Sequence, residues 1–217
     1  MLSERFQDFY LTSMTEDKNL FVLLKNILNE SRLQVCMLIV TGMPGSGKDE
    51  FVQVAKKLGW LDVHMGNTVK DYARRQGIAE NDSQIGKYAS DERKLHGMDI
   101  WARRTSEFIR EPDRTIVDGL RNIEELEFFR NRFSKVKVIA IYANQEERLR
   151  RIQRRSRPDD VKDEAGLNKR DTRELEWGIG RTISLSDFML VNDRTLEEFR
   201  KNSAELLNSI SAVHYDS

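Results

Sequence analysis

The chain alternates between short unbroken apolar runs and longer stretches in which apolar residues recur every three or four positions. Unbroken runs of this length predict strands buried on both faces of a parallel sheet, and the recurring spacing predicts amphipathic helices. Strands that alternate with helices predict an α/β fold, in which helices cover both faces of a mostly parallel sheet. The five predicted strands lie at residues 35–40, 60–66, 115–119, 136–142 and 188–191; the first and the last are unbroken apolar runs, and the other three are mainly apolar with a few polar residues.

Four of the predicted helices begin at residues whose side chains can cap a helix. Each cap is an Asn or Thr that is followed three residues later by Gln or Glu, and such a pair can satisfy free backbone N–H groups of the first turn. Three of the caps follow a predicted strand closely, as a strand–helix–strand fold requires. The four caps are Asn81, Asn122, Asn144 and Thr195.

The remaining boundaries follow from changes in apolar spacing and in charge. Residues 67–76 are predicted to be helical after a turn that ends the second strand. A further helix is predicted over residues 98–110, with Phe108 mostly inward. The charged stretch over residues 150–163 predicts an irregular segment, and helical spacing resumes over residues 168–177.

Residues 1–34 precede the first predicted strand and form an N-terminal extension, which leaves residues 35–217 as a single domain. Apolar residues at helical spacing predict a helix within the extension. Three interpretations stay open: a helix packed on the domain surface, a contact between two copies of the chain, or a translation start at Met37. The sequence leaves the oligomeric state open.

A glycine-rich segment after the first predicted strand has the Gly-x-x-x-x-Gly-Lys spacing of a phosphate-binding loop (P-loop). Glycines let successive backbone N–H groups point at an anion, and the positive end of the next helix strengthens that attraction. The terminal lysine can reach the β- and γ-phosphates of ATP. The residues expected to bind the nucleotide are Gly42, Met43, Pro44, Gly45, Ser46, Gly47 and Lys48.

Asp49 departs from the usual pattern of this loop, because the residue after the lysine is normally a Ser or Thr that ligates Mg²⁺. A carboxylate at the start of a helix gains from the helix dipole but repels a nearby phosphate. We therefore expect Asp49 to help hold Mg²⁺, directly or through water, and to make ATP binding depend on the metal.

Two charged residues follow the third predicted strand, at the edge of the sheet where ligands of open α/β folds bind. Asp118 closes this strand, and an acid at that position in P-loop proteins holds Mg²⁺ or its water. The alternative role for Asp118 is to cap a helix or to form a turn before Gly119. Arg121 suits bidentate recognition of a phosphate, and its alternative role is a surface ion pair.

Six arginines are concentrated within residues 148–157. Like charges on one helix face repel each other, so we expect some of them to share an anion, either a transferring phosphoryl group or a nucleic-acid backbone. Others are expected to be ordinary solvated surface residues. Arg170 and Arg173 follow the predicted irregular segment and are candidates to close over the same anion.

The overall charge balance gives no general attraction to nucleic acid or to a membrane. The sequence holds 36 basic and 36 acidic residues, so nucleic acid is not expected as a partner, although a local basic site does not exclude it. No apolar run approaches the ~20 residues that span a membrane, and the N-terminus lacks the apolar core of a signal peptide. The single cysteine allows no internal disulfide, and together these features predict a cytoplasmic protein.

The three histidines show no metal-ligand spacing with one another or with Cys36. Cys36 lies inside the first apolar run and is interpreted as a small core residue. His64 follows the second strand closely enough to face a ligand, but a structural histidine with satisfied hydrogen bonds is the more common case.

Taken together, these motifs resemble the nucleoside monophosphate kinase superfamily, adenylate kinase and dephospho-CoA kinase in particular. Within it, the chain is most similar to a mostly archaeal, adenylate-kinase-related P-loop family. The resemblance covers roughly residues 36–210 and implies a five-stranded parallel sheet in the order 2-3-1-4-5, with a short lid over residues 156–168 that has no zinc ligands. The motifs that carry it lie at residues 41–48, 65–67, 117–121, 157–160, 176–180 and 187–192.

The resemblance also implies which residues bind a phosphoryl acceptor. Gly66, Asn67 and Lys70 are similar to the acceptor-binding turn of the family, in which an Asp usually stands at the position of Asn67 and an Arg at that of Lys70. Arg121 resembles the arginine that holds the acceptor phosphate. Arg170 resembles a lid arginine that arrives when the lid closes.

The same resemblance implies a nucleotide side. Arg151 and Arg155 resemble the pair at the start of the lid that gathers the phosphates, and Arg157 resembles a second lid arginine that arrives on closure. Asn192 and Asp193 match the loop whose backbone lies against adenine. Phosphoryl transfer of this kind depends on positioning and electrostatics. The residues expected to act in catalysis are Lys48, Asp118, Arg155 and Arg157.

These residues predict an ATP-dependent phosphotransferase that uses Mg²⁺ and moves the γ-phosphoryl group of ATP to a nucleotide-like small molecule, either a nucleoside monophosphate or dephospho-CoA. The alternative is a nucleotide-binding module or slow ATPase whose ATP state controls a protein or RNA partner. The departures at Asp49, Asn67 and Lys70 keep this alternative open, and so does the extension over residues 1–34.

Overall fold

The structure is a computed structural model that describes residues 36–79, 81–155, 160–161 and 163–212. The predicted extension over residues 1–34 lies outside these ranges, and so do residues 156–159 of the predicted lid, including Arg157. The described part of the chain folds around one sheet with helices on both of its faces.

Five strands make up this sheet: β1 (Met37–Thr41), β2 (Leu61–His64), β3 (Thr115–Asp118), β4 (Val136–Tyr142) and β5 (Phe188–Val191). All pair in parallel, in the order β2-β3-β1-β4-β5, which confirms the predicted order. The central strand β1 is buried along its whole length, and its Ile39 pairs with Val117 on one side and Val138 on the other. An unbroken apolar run forms such a strand because both of its faces are covered.

Nine α-helices lie in the described ranges: α1 (Lys48–Lys57), α2 (Met65–Arg75), α3 (Asp82–His96), α4 (Ile100–Ser106), α5 (Ile123–Arg132), α6 (Gln145–Arg155), α7 (Glu164–Trp177), α8 (Ile179–Ser184) and α9 (Leu196–Ala212). A short 3₁₀-helix, Pro112–Arg114, precedes β3. Every connection between consecutive strands contains at least one helix, as parallel pairing requires.

Each face of the sheet carries its own hydrophobic cluster. Leu38 and Val40 of β1 belong to the cluster that includes Phe51 of α1, whereas Ile39 belongs to the cluster that includes Phe129 of α5. Successive residues of a strand point to opposite faces of the sheet, so β1 contributes to both clusters. The two clusters hold the helices against the sheet and fix the edge at which the strands end.

The predicted caps are confirmed. The side chains of Asn81, Asn122 and Asn144 accept hydrogen bonds from backbone N–H groups three residues later, and the hydroxyl of Thr195 accepts one from Glu198. Each bond satisfies an N–H group that has no partner within the helix.

Two predicted boundaries near β2 and α4 are wrong. The second strand ends at His64, and α2 begins at Met65 without the predicted turn. Helix α4 ends at Ser106 and does not continue to residue 110, and Phe108 is 50% exposed although its spacing predicts an inward direction. The helix stops before Phe108, so helical spacing no longer determines where this side chain points.

The prediction of an irregular segment over residues 150–163 is also wrong in its first part, because α6 continues to Arg155. Within this helix Arg150 forms ion pairs with Glu146 and Glu147, one turn earlier. These pairs offset part of the repulsion among the clustered arginines, so the charge density is compatible with a helix.

Helix α7 begins four residues before its predicted start at residue 168. The side chain of Asp163 caps it by accepting a hydrogen bond of 2.8 Å from the N–H of Gly166. The segment predicted as a lid over residues 156–168 therefore ends in the first turn of a helix.

Two further observations concern the predicted environment of the chain. Cys36 is buried, and burial raises the pKa of its thiol, which confirms its interpretation as a small core residue. Among the helices that the structure describes, none has both the length and the apolar character needed to cross a membrane.

Phe129 and Phe108 provide a matched test of which aromatic residues form the core. Phe129 is fully buried, so we expect Phe129→Ala to lower the free energy of unfolding by ~3–5 kcal/mol. We expect Phe108→Ala to change it by less than ~1 kcal/mol, because this side chain is half exposed. Urea unfolding followed by circular dichroism measures both, and equal losses would contradict the assignment of Phe108 to the surface.

Candidate functional site

A cavity of about 840 Å³ opens at the edge of the sheet, and residues that directly follow β1, β2 and β3 line it. Ligands of open α/β folds bind at this edge, where the carboxyl ends of the parallel strands meet. Ten Lys and Arg side chains and six Asp and Glu side chains line the cavity. Its walls therefore carry an excess of positive charge, which suits an anionic ligand.

The glycine-rich loop between β1 and α1 encloses the ammonium group of Lys48. Its Nζ donates to the carbonyl oxygens of Gly42, at 2.7 Å, and Met43, at 3.2 Å. Gly47 has a φ of 113°, and a Cβ at this position would lie 2.2 Å from Nδ2 of Asn192. A larger residue does not fit there, so the N-terminus of α1 faces the cavity without an obstructing side chain.

The pKa of Lys48 is unusually low for a lysine. Burial is the largest cause and lowers it to about 8, the positive charge of Arg121 acts in the same direction, and the negative charge of Asp118 opposes both. A bound anion would favour the charged form of the amine and raise this pKa again.

A chain of hydrogen bonds joins Asp118, at the end of β3, to β2. Nδ1 of His64 lies 3.2 Å from Oδ2 of Asp118, and Nε2 of His64 lies 2.9 Å from Oδ2 of Asp62. Burial acts to raise the pKa of Asp118, but the hydrogen bond with His64 and the charges of Lys48 and Arg121 together hold it below its usual range. The bond to Asp118 in turn raises the pKa of His64. Asp118 is therefore ionised at neutral pH.

Arg121 is held by carboxylates from two helices. Its Nε lies 2.6 Å from Oε2 of Glu174 on α7, and its backbone N–H donates to Oε2 of Glu125 on α5 at 2.7 Å. The side chains of Arg121 and Glu174 are 18% and 3% exposed. This is a buried pair in the cavity wall, and not the surface pair considered as the alternative.

Two arginines of α6 line the cavity together with the glycine-rich loop. Nη2 of Arg151 donates to the carbonyl oxygen of Asn192 at 2.8 Å. Arg155 donates to Asp160 at 2.6 Å, and its Nη1 lies 3.4 Å from Oδ2 of Asp49. Because a guanidinium group lies beside Asp49, it offsets part of the repulsion between this carboxylate and a bound phosphate.

Arg148 is a buried residue of α6, and its side chain connects the glycine-rich loop to α7. Its Nη1 and Nη2 donate to the two carboxylate oxygens of Asp171 at 2.9 and 2.6 Å, and Nη1 also donates to the carbonyl oxygen of Pro44 at 3.1 Å. A bidentate pair of this kind is strong and geometrically specific. One of the six clustered arginines is thus a structural residue.

Helices α3 and α7 supply a further part of the cavity wall. Asp82 of α3 accepts from Nη2 of Arg173 at 2.8 Å and lies 3.2 Å from Nε of Arg170. Gly86, one turn further along α3, leaves room for this contact, because a Cβ there would lie 2.4 Å from Cζ of Arg173. Two guanidinium groups of α7 therefore share one carboxylate of α3.

Arg93 lies two turns beyond Gly86 on the same face of α3 and is only 4% exposed. Its Nη2 donates to Oε1 of Glu125 at 2.8 Å, and its Cζ lies 4.4 Å from the centroid of the Trp177 ring. Nε and Nη1 of Arg93 have no hydrogen-bond partner among the described residues. A buried donor without a partner costs ~1–3 kcal/mol, so these atoms favour an acceptor group in the cavity.

Most of the residues predicted from the sequence line this one cavity. They are Pro44, Gly45, Gly47, Lys48, Asp49, Gly66, Asn67, Lys70, Asp118, Arg121, Arg151, Arg155, Arg170 and Asn192.

The other predicted residues are not brought to the cavity wall. Gly42, Met43 and Ser46 belong to the glycine-rich loop but do not line the cavity, and Asp193 is exposed beside Asn192. Arg157 lies outside the described residues.

Sequence reasoning missed much of the wall formed by α3 and α7, in particular Asp82, Arg93 and Glu174. A buried arginine paired with a buried glutamate has no sequence pattern that separates it from a surface pair. The one available signal was Gly86, because a glycine inside a helix often marks a close approach of another group.

A model of a protein family described as an AAA domain matches residues 38–175. This match and the glycine-rich loop at the end of β1 define the class of protein as a P-loop domain. The chain belongs to the UPF0200 family. A UPF0200 protein of Thermoplasma volcanium is 56% identical over 172 residues, which cover 79% of this chain and 96% of the relative. A UPF0200 protein of Methanosarcina acetivorans is 41% identical over 176 residues, which cover 80% and 94% of the two chains.

Solved structures of small-molecule kinases share the fold. A shikimate kinase from Acinetobacter baumannii, in complex with shikimate, superimposes with a TM-score of 0.57 at 13% identity and covers 84% of this chain and 97% of its own. A gluconokinase from Sinorhizobium meliloti superimposes with a TM-score of 0.51 at 15% identity and covers 85% and 98%. At these identities the likeness establishes the fold alone.

The buried pair of Arg148 and Asp171 gives a test of how the glycine-rich loop is held. We expect Arg148→Met to lower the free energy of unfolding by ~3–5 kcal/mol, because Asp171 is then left as an unpaired buried charge. We expect the double variant Arg148→Met/Asp171→Leu to recover most of this loss. Urea unfolding of the two single variants and the double variant completes the cycle, and additive losses would contradict a coupled pair.

Proposed function

We propose that this protein is an ATP-dependent phosphotransferase that transfers the γ-phosphoryl group of ATP to a nucleotide-like small molecule, of the nucleoside monophosphate or dephospho-CoA type. The observation that carries the proposal is that a single cavity is lined by two groups of basic and polar residues from different elements. Lys48 and the start of α1 form one group, and Asn67, Lys70 and Arg121 form the other. Two anionic substrates bound by these groups would meet beside Lys48.

ATP binds on the side of the glycine-rich loop in this proposal. The N-terminus of α1 and Lys48 attract its phosphates, because both supply positive charge to a partly enclosed space. Arg151 lines the same side, and its contact with the carbonyl oxygen of Asn192 connects the phosphate region to the loop expected to lie against adenine.

The acceptor binds against Gly66, Asn67, Lys70 and Arg121. Arg121 suits this role because Glu174 and Glu125 hold it in place, while its Nη1 is buried and lacks a hydrogen-bond partner in the described part of the chain. A fixed guanidinium group orients an anionic acceptor at little entropic cost. Arg170 contributes to acceptor binding, and Arg155 and Arg157 would stabilise the charge that develops as the phosphoryl group moves.

The carboxylate of Asp118, at the end of β3, suits a divalent cation. Oδ1 of Asp118 is buried without a partner among the described residues, and this carboxylate is ionised at neutral pH. Mg²⁺ is usually held by one or two carboxylates together with phosphate oxygens. We therefore assign Asp118 and Asp49 to Mg²⁺, which when bound would neutralise charge on the β- and γ-phosphates of ATP.

The fold supports the reaction class. The shikimate kinase and the gluconokinase that share the fold are, by their names, kinases of small molecules. This likeness supports phosphoryl transfer and does not select the acceptor. The nucleotide-like acceptor rests on the resemblance of the acceptor-binding turn and of Arg121 to those of adenylate kinase and dephospho-CoA kinase.

The decisive experiment is a phosphotransfer assay across nucleoside monophosphates and dephospho-CoA, run beside an ATPase assay with Mg²⁺ present. We expect transfer to one acceptor at a rate well above ATP hydrolysis. Lys48→Met, which removes the charge that serves the phosphates, should lose both ATP affinity and transfer while its circular dichroism spectrum stays unchanged. Hydrolysis without transfer to any acceptor would contradict the proposal and favour an ATP-controlled regulatory module.

The low pKa of Lys48 predicts that ATP binding is linked to proton uptake. Above pH 8 the amine of the free protein loses its proton, whereas bound phosphates favour the charged form, so ATP binding must return a proton. We expect ATP affinity to fall by up to about tenfold per pH unit above 8.

Calorimetry in buffers of different ionisation enthalpy measures this uptake directly. At pH 9 the wild-type protein should take up close to one proton for each ATP bound, and at pH 7 far less. Lys48→Arg stays charged throughout this range and serves as the control, because its uptake should be close to zero. Equal uptake by both proteins at pH 9 would rule out Lys48 as the titrating group.

A further inference from the structure

The wall formed by α3 and α7 holds more positive than negative charge in a partly enclosed space. Among the described residues, Arg93, Arg170 and Arg173 form ion pairs with only two carboxylates. Glu125 pairs with Arg93, and Asp82 is shared between the other two arginines. One guanidinium charge in this wall is therefore not balanced by the carboxylates that contact it.

The same arginines have buried nitrogen atoms without hydrogen-bond partners in the ranges that the structure describes. These atoms are Nε and Nη1 of Arg93, Nη1 of Arg170 and Nε of Arg173. All three residues line the cavity. Buried polar groups in native proteins normally have partners, so several unpaired donors on neighbouring arginines point to a ligand that supplies oxygen atoms.

This wall is distinct from the place where phosphoryl transfer is proposed. Arg121 contacts one oxygen of Glu125 through its backbone N–H, and Arg93 contacts the other oxygen through its side chain. Arg121 lies close enough to Lys48 to lower its pKa, whereas Arg93 lies over the ring of Trp177. The ring face that Arg93 covers is not free to stack on a nucleobase, which favours a small anionic group over a base in this part of the cavity.

We propose that Arg93, Arg170 and Arg173 form a second anion subsite, which binds a carboxylate or phosphate group of the acceptor other than the group that receives the phosphoryl. This inference rests on the proposed function and makes it more specific. The acceptor then carries an anionic group that is remote from its reacting oxygen. A molecule that has a reacting hydroxyl and, elsewhere, a phosphate or carboxylate group meets this requirement. A nucleoside monophosphate whose only phosphate is the reacting group does not meet this requirement.

The indole N–H of Trp177 gives a local signal for this subsite, because it donates to Ser90 at 3.0 Å while Arg93 lies over its ring. The chain has three tryptophans, so a ¹H–¹⁵N spectrum holds three indole signals, and Trp177→Phe identifies the one to follow. Orthophosphate and acetate are titrated separately at constant ionic strength with sodium chloride, both with and without a non-hydrolysable ATP analogue. Comparison of the two titrations distinguishes a phosphate-binding from a carboxylate-binding subsite.

Arg93→Lys is the test variant, because lysine can keep the charge contact with Glu125 but cannot present the nitrogen atoms that lack partners. Arg104→Lys is the matched control. Arg104 also contacts a glutamate and lies over the ring of Trp101, yet it does not line the cavity. An unchanged Trp60 signal shows that each variant is folded, because neither substituted arginine lies over that ring.

We expect at least one anion to shift the Trp177 signal with saturation in the wild-type protein, and Arg93→Lys to weaken that binding at least tenfold. Arg104→Lys should change it less than twofold. A shift no larger than that caused by chloride, or equal affinities in wild-type and Arg93→Lys protein, would overturn the subsite. Failure of the ATP analogue to bind would count against the proposed function alone, because the titrations without the analogue report on the subsite by themselves.

Discussion

Charge compensation within one partly enclosed cavity constrains most of the architecture around it. Ten basic side chains line the cavity, and they repel one another in a space where water screens them poorly. The helices are arranged so that key arginines meet carboxylates from other elements: Arg121 meets Glu174, and Arg155 meets Asp49 and Asp160. These pairs position the helices and leave a positive excess, which a ligand can use.

The sheet supplies the fixed reference for these charges. The strand β1 is buried on both faces and ends where the glycine-rich loop begins, so the loop cannot move independently of the core. Arg148 extends this constraint beyond the sheet, because it joins Pro44 in the loop to Asp171 on α7. The arginines of α7 are therefore positioned relative to the same loop as Lys48.

The resemblance to a known family was sufficient for the sheet order, and the sequence pattern was sufficient for the loop side of the cavity. Unbroken apolar runs and the glycine–lysine spacing have few physical alternatives, so β1, the loop and Lys48 were predicted correctly in place. The failures lie where pairing between distant residues decides the structure. The burial of Arg93, for example, depends on Glu125, which lies 32 residues away in the sequence. Periodicity within one segment carries no information about such partners.

Gly86 shows how access to the cavity conflicts with the stability of a single helix. It lies inside α3 with ordinary helical geometry, where alanine would favour the helix by ~1 kcal/mol. The missing methyl group is what lets Arg173 rest against the backbone of α3. A more stable α3 and the present placement of Arg173 are therefore incompatible at this position. A thermostabilised variant that fills it with alanine would gain a firmer helix and displace an arginine from the wall of the cavity.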